Sequence, residues 1–86
     1  MKIRIDPHAL ARMPVRGVSA DEVFEVVTRG EVAEARGERR AKELVFAHER
    51  LWAGRFYAQK RVKVVYMIEG DGIVVITVLA YYGRWS

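Results

Sequence analysis

Apolar and polar positions change period twice along the chain. Residues 2–5 alternate charged with apolar (Lys2, Ile3, Arg4, Ile5), the two-residue period of a strand face, and predict a short first strand or an extended arm. Asp6-Pro7 then reads as a helix start, with aspartate as N-cap and proline at the first helical position. The predicted helix covers His8 to Met13, with Pro14 setting its limit by disfavouring helical geometry at Met13; Gly17 offers a turn. A second helix is announced by the capping box Ser19-Ala20-Asp21-Glu22, with Val18 and Val23 placed for a hydrophobic staple. Val23, Val26 and Val27 form its apolar stripe, and Glu22 and Glu25 are expected to face water. Arg29 suits the negative helix end, and Gly30 is predicted to be a left-handed stop.

From Glu31 the pattern shortens towards a period of two. Residues 32–36 predict a strand, residues 37–40 a polar turn, and residues 44–47 the beginning of a second strand. Residues 48–59 fit either a helix or two strands bent at Gly54, and Trp52, Phe56 and Tyr57 favour strands. Residues 62–68 and 73–79 form a hairpin across Glu69-Gly70-Asp71-Gly72. The second of these strands is apolar on both faces, so it is expected to be central and covered by the helices. The predicted fold class is α+β: one domain over residues 1–86, two N-terminal helices on one face of an antiparallel sheet of about four strands, ending in a C-terminal β-hairpin. The opposite face is expected to stay partly open and to carry Arg61, Lys63 and some of the aromatic residues.

Length and composition narrow this further. Eighty-six residues allow one modest core. The absence of cysteine excludes disulfides and thiolate metal sites and fits a reducing compartment. The N-terminal residues do not read as a signal peptide, and the apolar run at 73–82 is too short and too β-branched for a spanning helix, so a soluble cytoplasmic protein without membrane contact is expected. The net charge is +4, with 11 arginines against 4 lysines. Arginine's planar fork suits phosphate and stacks on bases, which points to RNA; a genome that favours arginine codons accounts for the same bias.

Three groups of residues could carry chemistry. His8 and Arg12 are four apart and share a helix face, with Arg16 beyond Pro14. The arginines could hold a phosphodiester while the histidine moves a proton, or the histidine could simply pack while the arginines are solvated. The tail, Tyr81, Tyr82, Arg84 and Trp85, could stack on unpaired bases and bind phosphate, or anchor the last strand. In the run Lys60-Arg61-Val62-Lys63, Arg61 and Lys63 point one way and Lys60 the other. The pair could line a nucleic-acid groove or serve as an edge-strand device against aggregation. His48, Glu49 and Arg50 form a further charged cluster. The two histidines sit in no metal-ligand spacing, so no metal and no cofactor are expected.

The string His8-Ala9-Leu10-Ala11-Arg12-Met13, followed by Arg16-Gly17-Val18-Ser19, Glu22-Val23 and Val26-Val27, resembles the start of a bacterial family of small domains of unknown function. Residues 74–78 resemble that family's last strand. Its helix–helix–sheet layout is similar to that of the RelE and BrnT ribonuclease toxins, which cut RNA without a metal and pair with an antitoxin. The resemblance implies a metal-independent endoribonuclease with RNA and an antitoxin protein as partners. By that likeness His8, Arg12, Arg61 and Tyr81 would be catalytic: Arg61 or Arg84 would stabilise the pentacovalent phosphate, and His8 or Tyr81 would handle the proton. Arg16, Lys63, Arg84 and Trp85 would bind the nucleic acid. The alternative is a non-catalytic RNA- or protein-binding module, including a homodimer.

Overall fold

The computed structural model describes residues 1–85 and has the element order β1 (Lys2–Ile5), α1 (Pro7–Arg16), α2 (Ala20–Arg29), β2 (Glu31–Ala33), β3 (Arg40–Trp52), β4 (Arg55–Glu69) and β5 (Gly72–Gly83). The α+β layout with helices on one sheet face is as expected, and the sheet gains a strand. Its order is β1-β5-β4-β3-β2, antiparallel throughout except that β1 runs parallel to β5. The N-terminal residues could take this place because the first part of β5 is apolar on both faces and accepts a neighbour: Ile3 pairs with Ile73 and Ile5 with Val75. Residues 48–59 are the two strands that their aromatic content favoured, meeting at Ala53-Gly54.

Both helices begin as the sequence implies. The Asp6 carboxylate accepts the His8 N–H, and Ser19 and Glu22 form the reciprocal capping box. Two helix ends differ from expectation. Helix α1 runs through Pro14 to Arg16. Proline removes one donor in the last turn while its fixed φ remains helical, and the stop is set instead by Gly17 at φ 70°. There the N–H of Val18 reaches Met13 O and that of Gly17 reaches Pro14 O, a Schellman closure. Gly30 is not left-handed but extended, at φ −72° and ψ 167°, because α2 feeds straight into β2. Its glycine is required by space: a Cβ there would lie 2.4 Å from Val26 O and 2.8 Å from Glu43 O.

The core lies between helices and sheet. Val62, Val64 and Tyr66 of β4 and Ile73, Val75 and Val78 of β5 meet Ala9 and Met13 of α1 and Val23, Val26 and Val27 of α2. The largest fully buried side chains are all valines, the stiff β-branched residue that packs well on a pleated surface. Each contributes on the order of 1.5–3 kcal/mol by leaving water. Beyond Val75, β5 has β4 as its only strand neighbour among the described residues, and α1 lies against this stretch. The Arg16 guanidinium donates to Val78 O at 2.6 Å and so occupies one carbonyl of that edge. No helix among the described residues is long and apolar enough to cross a membrane.

Candidate functional site

Strand alternation sends neighbouring cations of β4 to opposite faces. Lys60, Val62, Val64 and Tyr66 are buried on the helix side, while Arg61, Lys63 and Val65 stand on the open side. Each face carries one polar constellation.

On the helix side Lys60 is 3% exposed, the one charged residue buried among those described. Its Nζ donates to Gly17 O at 2.8 Å and to the Glu22 carboxylate at 2.9 and 2.7 Å. The capping-box glutamate therefore serves two purposes: it closes the start of α2 and neutralises a lysine that the strand pattern turned inward. Burial alone would raise the Glu22 pKa, but Lys60 and the Ser19 N–H outweigh it and hold the carboxyl below its ordinary value. Beside this pair Tyr82 donates its hydroxyl to Arg16 O at 2.7 Å and stacks on Trp52, with ring centroids 4.9 Å apart and planes 12° apart. Tyr57 and His48 pack on the same ring.

His48 sits at a bulge, where the β3–β4 register shifts between Ala47 and Arg50 and Glu49 takes a φ of 47°. Both His48 ring nitrogens are buried and neither has a hydrogen-bond partner among the described residues, an arrangement that costs stability and that protonation would make worse. Burial first, then Arg50 and Lys60, push its pKa below the ordinary 6.5, with Glu22 opposing. With a lowered native pKa the folded chain refuses a proton that the unfolded chain accepts, so stability falls as pH drops below 6.5 towards the native value. The melting temperature is therefore expected to fall from pH 7.5 to 5.5, and His48→Leu to flatten that fall. Equal slopes in thermal melts of the two proteins would remove His48 as the cause.

The open face is built around Arg61. Its guanidinium carbon lies 5.1 Å from the centroid of the Tyr81 ring and 5.3 Å from that of Trp85, over both rings, within cation–π range. Register places Tyr81 directly opposite Arg61 on β5, and Val45 opposite it on β3. Trp85 is brought over by its backbone N–H, which donates to the Gln59 side chain. The ionic partner of Arg61, Glu43, is 3.9 Å away, and the Arg61 Nε–H has no acceptor among the described residues. Two aromatic rings and a loose carboxylate thus hold this guanidinium. Lys63 is the next residue on the same face, opposite Glu43 and Leu79.

The eight residues singled out from sequence therefore separate. Arg61, Lys63, Tyr81 and Trp85 come together on the open face. His8, Arg12 and Arg16 lie on α1, where they line a depression of about 200 Å³ against Thr77, Val78 and Leu79 of β5. There Arg16 is already engaged by Val78 O. Arg84 is exposed beyond the end of β5. Sequence reasoning missed the Lys60–Glu22 pair, having expected Glu22 to face water, and the inward turn of Tyr82, which it grouped with Tyr81, Arg84 and Trp85. The signal for the first was present: Lys60 is in phase with Val62 and Val64, so a buried face demands a carboxylate for it. No group of three or more His, Cys, Asp or Glu side chains among the described residues is arranged to hold a metal.

Fold and site define a helix-backed small α+β domain with an uncovered, cation- and aromatic-bearing sheet face. The chain belongs to the family described as domain of unknown function DUF4258, whose model matches residues 5–80. No curated protein and no solved structure matches it.

Proposed function

We propose that this protein binds single-stranded RNA through the open face of its sheet, with Arg61, Tyr81 and Trp85 as the base-stacking station and Lys63 as a phosphate contact. The observation that carries this reading is the Arg61 guanidinium lying over both the Tyr81 and Trp85 rings on a face that no helix covers. Aromatic faces and guanidinium planes accept any unpaired base, and nearby cations track the backbone. The choice of RNA follows the resemblance to ribonuclease toxins, and the net charge of +4 agrees with it. Cleavage is the extension that the same resemblance implies. His8 and Arg12 would have to act on a strand passing over the β5 edge, away from Arg61 and Tyr81.

The test is anisotropy titration of a labelled unstructured RNA, with DNA of the same sequence alongside, for wild type and for Arg61→Ala, Tyr81→Ala and Trp85→Ala. Loss of either ring is expected to cost about 1–3 kcal/mol of binding, and affinity should fall with rising salt. Undiminished binding in all three variants would refute this surface, and tighter DNA binding would refute the choice of RNA. The same samples, kept with EDTA and run on a denaturing gel beside His8→Ala, read strand integrity. Cleavage by wild type and not by the variant assigns the α1 depression to catalysis; intact RNA in both leaves a binding module.

A further inference from the structure

Among the hollows on the uncovered face, two differ in the chemistry of their linings. The first, of about 310 Å³, is bordered by Arg61, Trp85, Val45 and Leu44 with Glu31 and Glu43. It joins an aromatic and apolar side to one guanidinium and two carboxylates. The second, of about 520 Å³, is bordered by Arg36, Arg39 and Lys63 with Val65, Ala35 and Glu34. Here three cations meet one carboxylate. Both arginines of the second hollow belong to the β2–β3 turn, which the Arg39 N–H closes onto Arg36 O at 3.1 Å, so one short loop holds two guanidinium-bearing residues at the rim.

The hollows follow one another along a single strand. Arg61, Lys63 and Val65 are successive residues of β4 on the open face, opposite Val45, Glu43 and Ala41 of β3. From Arg61 to Val65 the strand rises roughly 14 Å, at about 3.4 Å per residue. A nucleic-acid strand stacked as in a duplex, at about 3.4 Å per nucleotide, covers this with at most about four nucleotides, and an extended strand with fewer. We infer that the open face is a two-station site for a single-stranded oligonucleotide of two to four nucleotides, one base resting on Arg61, Tyr81 and Trp85 and the backbone phosphate beyond it held by Arg36, Arg39 and Lys63.

This rests on the proposed RNA-binding reading and adds to it a footprint, a direction along β4 and two further phosphate-binding residues, Arg36 and Arg39, both outside the C-terminal half of the chain. The charge pattern supplies a further consequence. Glu43 stands between the stations: it pairs across the strand with Lys63 and lies 3.9 Å from the Arg61 guanidinium. Its carboxylate repels a backbone phosphate and competes with it for the Arg61 guanidinium. A duplex is a poor occupant, because its bases are paired and offer no free face to the aromatic station.

The experiment uses the full chain and oligouridylates of one to eight nucleotides as competitors against a labelled octamer. Affinity is expected to climb with length to about four nucleotides and then to level off. The double variant Arg36→Ala/Arg39→Ala should bind the tetramer about tenfold more weakly while the dinucleotide competes as it does against wild type. Glu43→Gln should bind the tetramer several-fold more tightly. Affinity that climbs steadily to eight nucleotides, or a double variant that binds the tetramer like wild type, would overturn the two-station site. If that happens while Tyr81→Ala still weakens binding, the face binds RNA and the footprint alone is wrong.

Discussion

Replacing Lys60 by methionine is expected to destabilise the protein by about 3 kcal/mol. Methionine keeps the length and apolar stem of the side chain but leaves the Glu22 carboxylate and Gly17 O without their donor. Removing one member of a buried pair costs about 3–5 kcal/mol. The low end applies because the Glu22 side chain is 21% exposed and water can relieve part of the loss. For a domain of this size the melting temperature should fall by about 12–24 °C, at about 4–8 °C per kcal/mol. The double variant Lys60→Met/Glu22→Gln should recover part of it, since no unpaired charge is left, and the recovery measures the coupling. A second readout is acid stability. The native Glu22 pKa lies below its ordinary 4.5, so its contribution is present above pH 4.5 and is lost as pH falls through the native value. In Lys60→Met that sensitivity should disappear. A variant that melts together with wild type would show that the pair contributes nothing beyond its own desolvation.

Gly17→Ala is expected to have an effect of the same order by a different route. At φ 70° a side chain costs about 1–2 kcal/mol through left-handed crowding. The added Cβ would also lie 2.5 Å from the Tyr82 hydroxyl and 2.7 and 2.8 Å from Trp52 ring carbons. Rigid rings cannot yield as a lysine tip would, so the Tyr82–Trp52 stack and the hydroxyl's bond to Arg16 O must shift. A total loss of about 3 kcal/mol follows, adding a core rearrangement of about 1–3 kcal/mol to the backbone cost. Gly54→Ala and Gly70→Ala are internal controls: both positions have positive φ and open space around the missing Cβ, so they should show the backbone cost alone. In a Trp85→Phe background the remaining tryptophan, Trp52, reports the displacement by fluorescence. Equal melting temperatures for all three glycine variants, with unchanged emission, would place no packing role on Gly17.

Much of the fold could be read from single residues. Ser19 and Glu22 announced α2, Asp6-Pro7 announced α1, and the alternation of β4 told Arg61 and Lys63 apart from Lys60. Other features were not legible because they arise from encounter. That Pro14 lies inside α1 depends on the Gly17 closure that ends the helix beyond it. Gly30 was misread as a left-handed stop because its requirement is the approach of the Glu43 backbone from β3, thirteen residues away in sequence. The joining of β1 to β5 in parallel links residues about seventy apart, and nothing in a strand of four residues names its partner.

The candidate site divides along the same line. Strand period alone determined that Arg61 and Lys63 share a face, because side chains alternate with a period of two whatever the fold. Helix period determined that His8 and Arg12 share one as well. Tertiary structure decided that these two groups lie apart, with the β5 edge between them. It also decided that Arg61 faces Tyr81 through register and Trp85 through the Gln59 hydrogen bond, and that the inward lysine meets the capping-box glutamate of α2. Local spacing is dictated by backbone geometry, which every short segment carries in itself. Which segments meet is dictated by the burial of apolar side chains from α1, α2, β4 and β5 in one core, and no single segment carries that.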